Sequence, residues 1–179
     1  MNDAIQKLKM KTVYRFECFD KDGNLKWVEE LKNLVTNEGL DDLLDKYLKG
    51  SGYTAAWYAG LIDNDGFTAI AAGDTAAKIN TTANPPTTNG WQELDDYDEA
   101  TRETITLGSV SGQSVDNSAS KAEFTINATK TVKGAFVISN STIGGTSGVL
   151  YGAGAFGSTR SVVDDDVVRL TVTCTAASA

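Results

Sequence analysis

A chain of 179 residues with 24 Asp and Glu against 16 Lys and Arg has the size of one domain and a net charge of −8. That charge argues against direct nucleic-acid binding, because neutralising phosphates needs a basic face. The absence of histidine removes the usual general base and the commonest transition-metal ligand, so neither a Ser-His-Asp nor a Cys-His centre can form within one chain.

No apolar run approaches the roughly 20 residues of a membrane span. The start, "MNDAIQKLKMKT", lacks the apolar centre of a signal peptide, so a soluble chain without membrane contact is expected. Cys18 and Cys174 are too few for a zinc site. Two free buried thiols are the plainer expectation, with a disulfide left open.

In chain order, "TVYRFECF" alternates, with Tyr14, Phe16 and Cys18 on one face. "DKDGN" supplies a turn and "LKWVEEL" returns, which predicts a long aromatic hairpin over Val13–Leu31. "NLVTNEGLDDLLDKYLKG" predicts one helix over about 38–49, capped by Thr36 or Asn37 and stopped at Gly50. Leu40, Leu43, Leu44, Tyr47 and Leu48 share a face that is expected to cover a sheet.

"AAWYAGLI" has the unbroken apolar character of a central strand. After the turn "DNDG", "FTAIAAGDTAAKINTTANPPTTNG" has no clear period and predicts a long surface excursion with one short edge strand at most. Strands are then expected in "WQEL", "TRETITLGSV", "KAEFTINA", "VKGAFVIS", "VLYGAGAF" and "VVRLTVTCTA", separated by turn formers. Phe124 and Ile126 alternate with Glu123 and Thr125, and Val168, Leu170 and Val172 with Arg169 and Thr171. One dry and one wet face per strand predicts a mainly β, antiparallel sandwich.

The segment richest in candidate chemistry is "GWQELDDYDEATRETITLGS", with Glu93, Asp95, Asp96, Asp98, Glu99 and Glu103 around Arg102, and Asp116 downstream. A glycosidase would need two of these carboxylates across a cleft. A calcium site would draw on Asp95, Asp96, Asp98 or Glu99, but the EF-hand spacing is absent. The segment leads into an alternating strand, so water-facing carboxylates with Arg102 paired to a neighbour are favoured. "DKDGN", "DNDG" and "DDD" at 164–166 are expected to be turns, and "GAGAFG" at 152–157 a close-packed strand, since it lacks the Lys-Ser/Thr tail of a phosphate loop.

The order "NLVTNEGLDDLLDKYL", "WYAGLI", "AGDT", "GWQELDDYDEATRETITL", "QSVDNSASKAEFTINA", "VKGAFVIS", "GGTSGVLYGAGAF", "DDDVVRLTVT" spans about residues 33–175. It resembles a group of small tailed-bacteriophage virion proteins associated with capsid decoration, or cement. The resemblance implies a structural protein on the phage head surface that binds the major capsid protein of the same phage, with no catalytic residue, metal or cofactor.

Together these readings predict a jelly-roll-like sandwich over 33–179 with a projecting arm and hairpin over 1–32, in a homo-oligomer. The expected shell contacts are Lys7, Lys9 and Lys11 on the arm, and Val13, Tyr14, Phe16, Trp27 and Val28 on the hairpin. The rivals are a tail-tube or fibre component, a carbohydrate-binding module with a platform of Trp57, Trp91 and Tyr97, and a hydrolase using Glu93 or Glu99.

Overall fold

The computed structural model describes residues 8–53, 56–79 and 91–178. Two antiparallel sheets face each other, which makes the chain a mainly β, sandwich-like protein. The first sheet runs β2 (Leu25–Lys32), β1 (Leu8–Phe19), β11 (Val167–Ser178), with β7 (Ser114–Asp116) and β8 (Ala122–Thr125) pairing successive parts of β11. The second runs β3 (Leu34–Val35), β10 (Leu150–Val162), β9 (Lys130–Ile138), β4 (Tyr58–Asp63), with β5 (Glu93–Leu94) and β6 (Glu103–Thr104) both on β4.

The alternation in β1 determines its burial. Tyr14, Phe16 and Cys18 point between the sheets and are wholly buried, in one cluster with Leu61, Phe124, Val137, Leu170 and Val172. The hairpin therefore does not project. β1 lies inside its sheet, paired with β11 from Leu8↔Ser178 to Phe19↔Val167 and with β2 on its other side. A division at 32/33 would cut through this shared core. Of the arm, residues 1–7 lie outside the described part, and residues 8–12 are already strand.

The turns form as their chemistry predicts. Asp20 accepts from the Asp22 and Asn24 amides at 3.0 and 2.8 Å, and Gly23 takes a φ of +80°. Asp63 accepts from the Asp65 amide at 3.0 Å.

The second sheet is buried on both faces, which explains the unbroken apolar runs of β4 and β9. Its outer face carries Ile62, Phe136, Ile138, Leu150 and Ala153, and these pack with Ala76, Ile79 and Trp91. The stretch after β4 is thus a lid over hydrophobic surface, not a free surface excursion. It contains a 3₁₀ turn (Ala76–Lys78) and, among the described residues, no strand. Asp74 fixes it by accepting from the Ala71 amide at 2.9 Å and Trp91 Nε1 at 3.2 Å. The Pro85-Pro86 part lies outside the described residues.

The helix α1 (Asn37–Leu43) continues as one π-helical stretch over Leu44–Leu48. Thr36 caps it, accepting from the Gly39 amide at 3.1 Å. Glu38 ties its first turn to the lid and to β10, accepting from the Ala76 and Leu150 amides at 3.1 and 2.6 Å. A Cβ on Gly39 would collide with the Tyr151 carbonyl, so only glycine lets the helix approach β10 this closely.

The predicted covering face is not what docks. Leu43 is half-buried, but Leu40, Leu44, Tyr47 and Leu48 are exposed at 40%, 52%, 83% and 73%. The helix rests on Gly39 and the Glu38 contacts, and turns its leucine row outward.

Candidate functional site

The acidic segment resolves into a buried ion pair and a set of separately engaged carboxylates. β5 and β6 both pair with β4, through Ile62↔Glu93 and Ala59↔Glu103, which brings Glu93 beside Arg102. Arg102 donates from Nε and Nη2 to the two Glu93 oxygens, both at 2.7 Å, and both side chains are 0% exposed.

The Gly144 amide donates to Glu93 at 2.7 Å, and Arg102 also donates to the Asn140 and Gly145 carbonyls at 2.9 and 3.1 Å. The Phe136 ring lies under the guanidinium, 5.1 Å from its centroid. The pair therefore pins the β9–β10 connection to the sheet. Burial pushes the Glu93 carboxyl above its ordinary range, against the opposing pull of Arg102 and the Gly144 amide. Both Glu93 oxygens are engaged, so neither offers a reactant an open face.

Water-facing carboxylates were expected with Arg102 paired at the surface. Arg102 is paired, but the pair is fully desolvated, because β4 draws it under the β9–β10 loop. The remaining acids are held apart. Asp96 pairs with Lys130 at 2.8 Å. Asp98 accepts from Asn127 at 3.3 Å. Glu99 takes the Thr125 amide on both oxygens at 3.1 Å.

Asp116 caps a turn through the Ser118 side chain and its amide at 2.8 Å, which lowers its pKa. Burial raises the Asp95 carboxyl, with the Asp96 charge adding to it. Among the described residues no group of three or more His, Cys, Asp or Glu is disposed to hold a metal ion.

The expected contact residues divide by the pleat of the hairpin. Lys7 lies outside the described residues, Lys9 and Lys11 are exposed and Val13 is half-buried. Tyr14 and Phe16 are in the core and cannot touch a partner. The Tyr14 hydroxyl donates to the Gly152 carbonyl at 3.2 Å, and Phe16 meets Phe156 edge-on at 4.7 Å. Trp27 is half-buried, lying against Phe156 at 6.1 Å and donating from Nε1 to the Ser161 carbonyl at 3.3 Å. Val28 is exposed on the outer face of β2.

The aromatic platform does not form, because Trp91 and Tyr97 are buried and Trp57 is half-buried against Tyr151. Cys18 and Cys174 are free. Cys174 registers with Thr12, six positions from Cys18 along β1, so they are roughly 20 Å apart.

Two surface features stand out from the fold itself. The first is the outer edge of β2, eight residues long and paired among the described residues with β1 alone. The second is the end of the sandwich around α1. There a cavity of about 160 Å³ lined by Trp57, Val115, Tyr151 and Cys174 adjoins a cleft of about 260 Å³ between Leu43, Tyr47, Tyr53 and Trp57. The edge was legible in the length of "LKWVEELK". The leucine spacing was legible too, but burial and exposure give the same spacing. Among the described residues no helix is long and apolar enough to cross a membrane. No protein-family model matches the chain, and no curated protein does.

Proposed function

We propose that the chain is a bacteriophage virion structural protein of the decoration type, which binds the outer face of an assembled capsid shell and stabilises it. The reading takes its family from the resemblance over about residues 33–175. In the geometry, the reading is supported chiefly by the β2 edge. A row of eight residues ends its sheet with backbone donors and acceptors available for strand addition.

Val28 and Leu25, 41% and 55% exposed, give that edge apolar contact, and Lys9 and Lys11 on β1 give it charge. Many weak copies on a symmetric lattice then bind firmly through multivalency. The jelly-roll-like winding belongs to the same reading, since the first and last strands are neighbours while β9 and β10 form a hairpin in the opposite sheet.

The experiment is co-sedimentation of the purified chain with shells stripped of accessory proteins. Saturable binding that weakens when Val28→Pro blocks the edge supports the reading. Absence of binding, with rings or tubes formed by the chain alone, supports a tail component instead.

A further inference from the structure

We propose that two copies of this chain pair through α1 and its π-helical continuation, antiparallel across a two-fold axis near Leu44. Leu40, Leu44 and Leu48 recur every fourth residue and form one row, 40%, 52% and 73% exposed. The row lies outside the helix's own docking contacts, which run through Gly39 and Glu38. Tyr47, 83% exposed and three positions after Leu44, adjoins the row, and with Tyr53, 80% exposed, it lines the neighbouring cleft against Trp57. Aromatic side chains of this kind anchor interfaces.

Charge identifies the occupant as a second copy. The flanking row, one position further round, is Asp41, Asp45 and Lys49, acidic towards the helix start and basic at its end. In an antiparallel isologous pair this row faces the same row of the other copy, so Asp41 of each meets Lys49 of the other. Asp45, nearest the axis, keeps Lys46 at 3.5 Å, while Lys49, 2.8 Å from Asp45 within its own chain, is shared in the pair with Asp41 of the other copy. Asp41 is exposed and no side chain of its own protomer forms an ion pair with it among the described residues; the second copy supplies the cation. The leucine row meets itself, with Leu40 against Leu48 and Leu44 on the axis.

The pairing is independent of shell binding, because it is read from the mass of the free chain. The test is sedimentation equilibrium of the full chain over roughly 1–100 µM, a range that brackets moderate affinities. The expected result is a mass rising with concentration to twice 19.0 kDa. Leu44→Glu should give the single-chain mass with an unchanged circular dichroism spectrum, since Leu44 is an exposed side chain in the protomer.

Lys49→Asp should weaken the dimer about tenfold, and the double variant Asp41→Lys/Lys49→Asp should recover most of that loss by restoring both cross-pairs. A wild-type chain that keeps the single-chain mass throughout would overturn the proposal. So would a Leu44→Glu variant that still dimerises, or a double reversal no better than Lys49→Asp alone.

Discussion

Replacing Glu93 by Gln separates a structural carboxylate from a catalytic one. The amide keeps the shape of the side chain but removes its charge, leaving the Arg102 guanidinium buried at 0% exposure without a counter-ion. One of the two 2.7 Å contacts from Arg102 then faces an amide N–H₂ instead of an oxygen, so donor meets donor. Removing one partner of a buried pair costs about 3–5 kcal/mol. Domains of this kind have total stabilities of about 5–15 kcal/mol, so the loss is a large share.

With a urea m-value of about 2 kcal/mol/M, the denaturation midpoint should fall by about 1.5–2.5 M at unchanged m, read by the fluorescence of Trp27, Trp57 and Trp91. Replacing both partners by apolar residues, Glu93→Leu/Arg102→Met, should cost less than the sum of the single changes, because no charge is stranded. A Glu93→Gln midpoint within about 0.5 kcal/mol of wild type, the range of ordinary surface changes, would refute the argument.

Other consequences follow from the same geometry. Asp98→Asn, at an exposed side chain whose contact is with Asn127, should move stability by less than about 0.5 kcal/mol in the same urea titration; a loss comparable to that of Glu93 would mean the acids act as one network. Gly60→Ala should cost about 2–3 kcal/mol, because its Cβ would collide with the Phe136 ring and lie 2.8 Å from Glu93 Oε1; a neutral effect on the thermal midpoint would show that the pair can shift.

Burial raises the Cys18 thiol from 9.0 to about 12, so on raising pH the unfolded chain ionises first. The stability linked to this thiol is intact well below pH 9, falls by about 2 kcal/mol between pH 9 and 11, and is fully lost near the folded value. Cys18→Ala should flatten that alkaline limb, and an unchanged slope between pH 9 and 11 would contradict the assignment.

Period-two alternation was enough to place β8, β11 and the Val13–Phe19 part of β1, because one face of each meets the core and the other meets water, whereas the Leu8–Thr12 start of β1, expected as an arm, is already strand. The wet/dry rule failed where a sheet is covered twice. Ile62 and Phe136 lie under Trp91 and Ile79, so the lid looked like a loop when taken residue by residue. It also failed at Arg102, where charge suggested water and β4 pairing produced burial. β7 was hidden in the turn-rich "SGQSVDNSAS", since a three-residue strand carries too few side chains to show a period. The helix showed the opposite error. Its cap and leucine spacing were correct, but spacing alone does not say whether a row meets its own sheet or another molecule. The acidic segment remained open in the sequence for a similar reason, since six carboxylates within eleven residues state a charge density and not who their partners are.

The most direct measurement is imaging of stripped capsid shells mixed with excess purified chain, with copies counted per shell subunit. The account predicts density on the outer face at one fixed ratio, and loss of that density with Val28→Pro while the variant stays folded. Bare shells at saturating protein, or density whose occupancy ignores the β2 edge, would contradict it.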